Sequence, residues 1–363
     1  MNAVVRAAPP RGFKRLLRSC IAPDVFDFWA AKVDPMWSWE RPLARIVERR
    51  AESADAITLV LQPNRHWRGF RAGQHLNLSV EIDGGAVTRS YSLSDAPRAD
   101  GRLAITVKRI EGGRFSNHLF QRACVGDVLA IGQAFGDMTW TQDDGAWLFL
   151  AAGSGITPLM ALVREHAARG MPTPLTLLYW ARTRQELCFA DELLALSDAH
   201  PNFSVHCMLT REVSDGAAPD GRIDAAQLAS HVPDLASRRV YACGPGGFVE
   251  AARALVDGQA RGFHAEAFTP PPSRLDDSGE AIITLQRSGR TLTVPRGQSL
   301  LTALEEQGIK PASGCRMGIC NTCACGKSSG TSRHVHTGES TAEPVSALRL
   351  CVSAAASDLV LDL

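Results

Sequence analysis

Cys315-Arg-Met-Gly-Ile-Cys320-Asn-Thr-Cys323, with Cys351 following after 27 intervening residues, decides how this chain is read. The loop brings three thiols together at the spacing C-x4-C-x2-C, and the fourth comes from far downstream. A two-iron, two-sulfur cluster needs four thiolates, two for each iron. One tight loop can deliver three and a distant turn the last. Gly314, Gly318 and Gly326 lie in or beside the loop. Residues that small let backbone N–H groups approach the cluster sulfurs. Zinc sites usually pair short C-x2-C knuckles, which this spacing does not match. Cys315, Cys320, Cys323 and Cys351 are therefore the expected metal ligands. Cys325, two residues beyond Cys323, reads as a structural thiol beside them.

The chain's 363 residues suggest two or three domains. With 45% hydrophobic and 21% charged residues, packed cores are expected and wholesale disorder is excluded. The balance of 39 Lys+Arg against 38 Asp+Glu gives no reason to expect nucleic acid as a partner. Ten cysteines are too few for a disulfide scaffold of this length, and their clustering points to metal ligation in a reducing compartment.

No run approaches the roughly 20 apolar residues of a membrane span, and no secretory signal is convincing. The first twenty residues carry Arg6, Arg11, Lys14, Arg15 and Arg18 and no acid. Two readings of this region stay open. One is a tail plus a short amphipathic helix packed on the next domain. The other is a basic and aromatic surface for a membrane-bound partner, with Phe26, Phe28, Trp29, Trp37 and Trp39 as its aromatics.

Residues 56–61, 74–82, 89–93, 103–109 and 128–131 read as short strands between Gly and Pro turns, the pattern of an antiparallel barrel. From about residue 146 strands and helices alternate, which predicts a parallel α/β domain. Strands are expected at 147–151, 175–181, 203–209 and 239–242, and helices at 158–169, 186–196 and 247–258. The polar, Pro-rich stretch 269–279 reads as a linker. A hairpin (281–286 and 291–294) and a helix (299–307) then lead into the cysteine loop. The expected division is an N-terminal extension (1–40), a barrel (41–142), an α/β domain (143–268), the linker and a C-terminal domain (280–363). No internal repeat is found.

Four further motifs carry chemistry. On a predicted barrel strand, Arg89-Ser90-Tyr91-Ser92 places an Arg that can fork onto a phosphate beside a Tyr that can stack on a flat heteroaromatic ring. Ser92 offers a small hydroxyl to a ring nitrogen. The run Gly112-Gly113-Arg114-Phe115-Ser116 opens a predicted helix whose first amides, with Gly113 and Ser116, can hold a second phosphate. Gly153-Ser154-Gly155-Ile156-Thr157-Pro158 follows a strand and opens a helix, as a dinucleotide-binding turn does or as a plain strand–helix turn does. Beyond the next strand, Arg182 and Arg184 would suit the 2′-phosphate of NADPH, or form a solvated loop pair. Cys243-Gly244-Pro245-Gly246-Gly247 stands at another strand end. Cys243 reads either as a small core thiol or as a neighbour of a nicotinamide ring. Glu266, before the linker, reads as bordering the reactive ring or as a surface carboxylate.

In this order the motifs resemble the ferredoxin–NADP reductase superfamily, and within it the fused members with flavin, pyridine-nucleotide and C-terminal plant-type ferredoxin domains. The resemblance covers about residues 41–363. It implies an antiparallel β-barrel flavin domain, a parallel-sheet α/β nucleotide domain and a β-grasp 2Fe-2S domain. It implies that Arg89, Ser90, Tyr91 and Ser92, with Gly113 and Ser116, bind flavin, FAD being favoured over FMN. Gly153, Gly155, Thr157, Arg182, Arg184, Cys243, Gly244 and Pro245 would bind the pyridine nucleotide, NADPH being favoured over NADH. Ser92, Cys243 and Glu266 would border the reacting rings. Electrons would pass in pairs from NADPH to flavin and singly to the cluster.

Residues 67–93, 318–330 and 350–363 look closest to bacterial reductases that serve membrane fatty-acid (acyl-CoA) desaturases. That branch implies a membrane-bound di-iron desaturase as acceptor, with a monomeric, cytoplasmic reductase peripheral at the inner membrane through its partner. A soluble oxygenase or hydroxylase as acceptor, and an iron–sulfur redox-sensing module, are the alternatives.

Overall fold

The computed structural model describes residues 22–141, 145–212, 220–268, 277–318 and 320–363. The first twenty-one residues and most of the expected linker (269–276) lie outside them.

A short helix, α1 (Pro23–Val33), leads into the barrel strands β1 (Leu43–Ser53), β2 (Ala56–Pro63), β3 (His75–Ile82), β4 (Gly85–Ser92) and β5 (Leu103–Lys108). Helix α2 (Arg114–Arg122) and strand β6 (Val128–Ile131) follow. The sheet order is β4-β3-β6-β1-β2-β5, and its neighbours pair antiparallel. A bridge between Leu93 and Ile105 joins the end of β4 to β5 and closes the barrel. Leu59, Leu61, Leu76, Leu78 and Ile105 fill it and are fully buried. Strand β1 was not expected. Register shifts at Ile46/Glu48 and Ala51/Ser53 break its alternation, so no clean two-residue period marks it in the sequence.

The second unit alternates strand and helix: β7 (Trp147–Ala152), α3 (Ile156–Ala168), β8 (Leu175–Ala181), α4 (Ala190–Ala199), β9 (Phe203–Leu209), α5 (Ala225–His231), β10 (Arg239–Gly244), α6 (Gly246–Val256) and β11 (Gly262–Ala267). The strands run parallel in the order β11-β10-β7-β8-β9. Strands β7 and β8 are buried along their whole length, as in a sheet covered on both faces. Helix α4 begins four residues later than the expected 186–196. Leu187, Cys188 and Phe189 are buried ahead of it, and Phe189 takes a left-handed turn into the helix.

The C-terminal unit comprises β12 (Glu280–Leu285), β13 (Thr291–Pro295), α7 (Leu300–Glu306), β14 (Ala324–Ser329), β15 (Ser332–His334), β16 (Ser340–Thr341), β17 (Val345–Arg349), β18 (Ser353–Ala355) and β19 (Leu359–Leu361). Its main sheet is mixed, in the order β13-β12-β19-β14-β17. Leu300, Leu301 and Leu304 of α7 pack into the same core as Ile283 and Leu361, which gives the β-grasp arrangement. A buried lysine staples this unit. The Lys327 ammonium donates to the carbonyls of Gly330 (2.6 Å) and Thr341 (2.7 Å), and burial lowers its pKa.

Candidate redox site at the meeting of three domains

Strands β3 and β4 form a ribbon whose register pairs His75 with Ser92, Asn77 with Ser90, Leu76 with Tyr91 and Leu78 with Arg89. The leucines face the barrel core. The polar set His75, Asn77, Ser90 and Ser92 therefore shares the opposite face. That face meets both other domains.

Toward the nucleotide domain, His75 Nδ1 lies 3.6 Å from Glu266 Oε2, and both side chains are buried. Burial, then the nearby Asp137 charge, pushes Glu266 up to about 8. Burial pushes His75 down to about 4 against the pull of Asp137. At neutral pH this is accordingly a carboxylic acid beside a neutral imidazole, not an ion pair. The Met138 backbone donates to Glu266, and Phe135 packs edge-on against His75 at 4.7 Å. Gly136 makes that packing possible, since a Cβ there would fall 2.7 Å from the imidazole. The Ser92 hydroxyl, both His75 ring nitrogens and Glu266 Oε2 are buried without a hydrogen-bond partner among the described residues. Orphaned polar atoms from two domains at one seam fit a polar heteroaromatic ring system that would satisfy them.

Toward the cluster domain, Ser90 Oγ donates to Asn77 Oδ1 (2.6 Å), and Asn77 Nδ2 donates to Thr322 Oγ1 (3.3 Å) in the cysteine loop. Thr322 in turn hydrogen-bonds to Cys320.

The remaining flavin-motif residues sit close by. Tyr91 stacks near Phe115 at 5.8 Å, and burial raises its phenol pKa. Arg89 is half-buried and donates to the Thr88 carbonyl (2.8 Å); burial first, then Arg316, lowers its pKa. Gly113 precedes α2, and Ser116 Oγ accepts from the Ile110 amide (3.2 Å). The helix start is thereby tied to the loop.

The Gly153 and Cys243 motifs end β7 and β10, which are adjacent parallel strands with connections running to opposite sides. This is the switch point at which open α/β sheets bind ligands. The two turns press together there. A Cβ on Gly155 would stand 2.0 Å from the Cys243 carbonyl oxygen. Thr157 is buried and its hydroxyl donates to the Ser154 carbonyl (2.9 Å). Pro245 precedes α6, and Gly244 is packed against Ala152 and Phe248. The Cys243 thiol is fully buried, in register with Glu266 on β11, and burial raises its pKa. Its side chain belongs to the core, while its carbonyl shapes the turn.

Arg182 and Arg184 part company. Arg182 donates to Glu186 (2.9 Å), within a network in which Lys108 bridges Asp55 (3.1 Å) and Glu186 (3.0 Å) across the barrel seam. Arg184 is exposed at the end of β8, with its backbone amide held by Glu212 (2.7 Å).

The three loop thiols and Cys351 meet as two pairs, Cys315 with Cys320 and Cys323 with Cys351. Among the described residues, no three Cys, His, Asp or Glu groups converge on one point. The amides of Met317 and Cys320 donate to Cys315 Sγ (3.3 Å each), that of Cys315 to Cys320 Sγ (3.2 Å), and that of Gly318 to Cys351 Sγ (3.2 Å). The side-chain bond with Cys315, ahead of backbone amides, lowers Cys320 to about 4, and the side-chain bond with Cys351 lowers Cys323 to about 6. Two thiol pairs in an amide-lined loop fit two irons. Cys325 points into the core instead and is pushed up to about 11 by burial. Arg316 grips Glu305 with two hydrogen bonds (2.8 and 2.6 Å), and Arg349 donates to the Gly318 carbonyl, fixing the loop from both sides.

Comparison with known proteins agrees with this layout. The oxidoreductase FAD-binding domain family matches residues 43–140, the oxidoreductase NAD-binding domain family 149–254, and the 2Fe-2S iron-sulfur cluster binding domain family 283–356. An NADPH oxidoreductase of Mycobacterium tuberculosis is 31% identical over 96% of this chain and 92% of its own length. This chain belongs to the ferredoxin reductase-type flavin and iron–sulfur oxidoreductases. Its cofactors are FAD and a 2Fe-2S cluster, and its electron donor is NAD(P)H.

A second relative, the ferredoxin reductase component of 3-ketosteroid-9-alpha-monooxygenase from the same species, is 33% identical over 79% of this chain and 84% of its own. The solved structure of phthalate dioxygenase reductase shares the three-domain fold, with a TM-score of 0.60 and 24% identity, covering 88% of this chain and 97% of that one.

His75 and Asn77 are the residues that sequence reasoning missed. The available signal was polar residues at every second position (His75, Asn77, Ser79) among Leu76, Leu78 and Val80.

Proposed function

We propose that this oxidoreductase passes electrons from NADPH to an oxygenase-type acceptor, and that the acceptor is a membrane-bound di-iron fatty-acid desaturase. The observation that carries the electron path is the single polar face of β3–β4, which touches Glu266 of the nucleotide domain at one end and Thr322 of the cluster loop nearby. The flavin held there would supply the conversion between the electron pairs of a nicotinamide and the single electrons a 2Fe-2S cluster accepts. Arg89, Ser90, Tyr91, Ser92, Gly113 and Ser116 would hold the flavin. Gly153, Gly155, Thr157, Gly244 and Pro245 would shape the nucleotide turns, Cys243 through its carbonyl, and Arg184 would meet the 2′-phosphate. The Glu266 carboxyl would hold a proton against His75 Nδ1 beside Ser92. Cys315 with Cys320, and Cys323 with Cys351, would each hold one iron.

Support for an oxygenase-type acceptor comes from the relative named as a monooxygenase's reductase component. Support for the desaturase comes from the likeness of residues 67–93, 318–330 and 350–363 to desaturase reductases. Among the described residues no helix is long and apolar enough to cross a membrane, so a membrane acceptor would have to be reached from the surface. A soluble monooxygenase is the second reading, favoured by the same named relative. The test combines the purified protein, NADPH and membranes containing a candidate desaturase, and measures conversion of a saturated acyl-CoA to its monounsaturated product. Brisk cytochrome c reduction without acyl-CoA desaturation would reject the desaturase in favour of the soluble acceptor.

A further inference from the structure

Helix α1 is anchored on one side and bare on the other. On the anchored side, the buried Asp27 carboxylate accepts from the Trp39 amide (2.6 Å) and from Arg41 (2.6 Å). Phe26 packs edge-on against Trp39 at 5.2 Å, and Ala30 is buried. The segment after the helix is pinned to the barrel, because Asn64 Nδ2 donates to the carbonyls of Met36 and Arg41. The helix is therefore held firmly in one orientation.

The other side shows Val25, Phe28, Trp29 and Val33, with Trp37 just beyond; these are 53%, 59%, 66%, 74% and 55% exposed. Spacings of three and four residues put the helical ones on one stripe. Among the described residues, only Ile110, Val125, Leu194 and Ile282 are comparably exposed large hydrophobic residues, and in sequence they lie scattered singly. Isolated exposed hydrophobics need no explanation, but a contiguous aromatic stripe does. Lys32 reaches over the Phe28 ring at 5.5 Å, at the edge of the stripe.

The charge of the sequence that leads into the helix argues for what covers the stripe. The twenty residues that lead into the helix carry five Arg and Lys and no acid. Aromatic side chains beside a run of bases match an anionic bilayer surface: the rings enter the interfacial layer and the bases meet the headgroups. Asp24 is the exposed acid on the helix, and it stands in the first turn, where the positive end of the helix dipole offsets it.

We infer that the exposed face of α1 is a docking surface for an anionic lipid bilayer. The inference is independent of which acceptor the reductase serves. The full-length holoprotein should co-float with phosphatidylglycerol-containing vesicles, stay behind with pure phosphatidylcholine vesicles, and release in high salt. Trp29→Ser combined with Val33→Ser should lower the partition coefficient about tenfold or more, with NADPH-driven dye reduction unchanged. Arg11→Gln, Arg15→Gln and Arg18→Gln together should remove the preference for anionic lipid. In the unmodified protein, brominated lipid should quench tryptophan fluorescence, and Trp29→Phe should diminish that quenching. Failure of the wild type to bind anionic vesicles, or binding that survives loss of Trp29 and Val33, would overturn the inference. So would a concentration-dependent dimer dissolved by Trp29→Ser, which would make the stripe a self-association surface.

Discussion

Replacing Gly155 by alanine should open the nucleotide site from within. An alanine Cβ would sit 2.0 Å from the Cys243 carbonyl oxygen, 2.3 Å from its carbon and 2.6 Å from the Gly244 nitrogen. Ordinary contact starts near 3.4 Å. The ends of β7 and β10 would have to spread, or the start of α3 lift, by roughly 1.4 Å, the gap between those distances. All three obstructing atoms are backbone, so no rotamer change relieves the clash. Overpacking of this kind costs about 1–3 kcal/mol, and a displacement of about 1 Å in a positioning element can cost on the order of a hundredfold in rate.

Backbone conformation contributes nothing to this penalty. Gly155 has φ −61° and ψ −13°, which alanine adopts readily, so entropy alone would favour the substitution. Gly247→Ala serves as the control. Gly247 lies in the first turn of α6 with nothing within 4 Å of its added Cβ, so that variant should match or slightly exceed the wild type in stability. The assay is thermal unfolding together with stopped-flow reduction of the flavin at rising NADPH concentration. Gly155→Ala should melt earlier and need at least about tenfold more NADPH for half-maximal reduction, while dithionite still reduces both cofactors. Wild-type melting and NADPH dependence in Gly155→Ala would refute the close-packing argument.

Cys320→Ser should abolish cluster absorbance yet leave NADPH reduction of the flavin intact, and loss of both would contradict the division of labour between domains. Asn77→Leu removes both hydrogen bonds of the Ser90–Asn77–Thr322 chain, and should slow flavin-to-cluster transfer about tenfold or more without slowing flavin reduction; equal slowing of both steps would place Asn77 in flavin binding instead. Glu266 keeps its proton up to about pH 8 in the folded chain but only to the ordinary carboxylate range, near 4.5, when unfolded, so its contribution to stability falls as pH rises through that window. His75, held neutral down to about 4, acts oppositely between there and 6.5, so the decline stands alone from 6.5 to about 8; Glu266→Gln should flatten it in pH-dependent melting, and an unchanged slope would show that Glu266 is ionised in the folded protein. Arg184→Ala should raise the NADPH Michaelis constant more than the NADH one, whereas Arg182→Ala, bound to Glu186, should act on thermal stability instead; equal effects of Arg184→Ala on both nucleotides would remove it from 2′-phosphate recognition.

What the sequence disclosed followed from how local each feature is. The cysteine spacing is local, because one loop brings three thiols to two irons, and the motifs at 153–158 and 243–247 are local strand–helix turns. Strand β1 was hidden because two bulges erase its alternation. Helix α4 was placed too early because Leu187, Cys188 and Phe189 are buried, as residues on a helix face would be, yet lie in the turn before it. Arg182 shares a sequence window with its partner Glu186, but Lys108 and Asp55, which complete that ion-pair network, come from the barrel, so no window contains both sides of the seam. His75 and Glu266 stand 191 residues apart in sequence and 3.6 Å apart in space, so neither could announce the other.

The position of that pair also shows how the three domains come together. A two-residue period gives a β ribbon two independent faces. In β3–β4 one face carries Leu76 and Leu78 beside Tyr91 and Arg89 and helps hold the barrel together, which leaves the other free to carry polar groups. Along that free face the register sets His75 and Ser92 two positions from Asn77 and Ser90. Two positions span about 7 Å of strand. The contact to the electron-donating domain and the contact to the electron-accepting domain are thereby fixed at neighbouring points on one rigid element. A slip of one residue in that register would turn the polar face into the core and separate both contacts at once. The barrel strand, rather than either flanking domain, is thus the element on which the electron path depends.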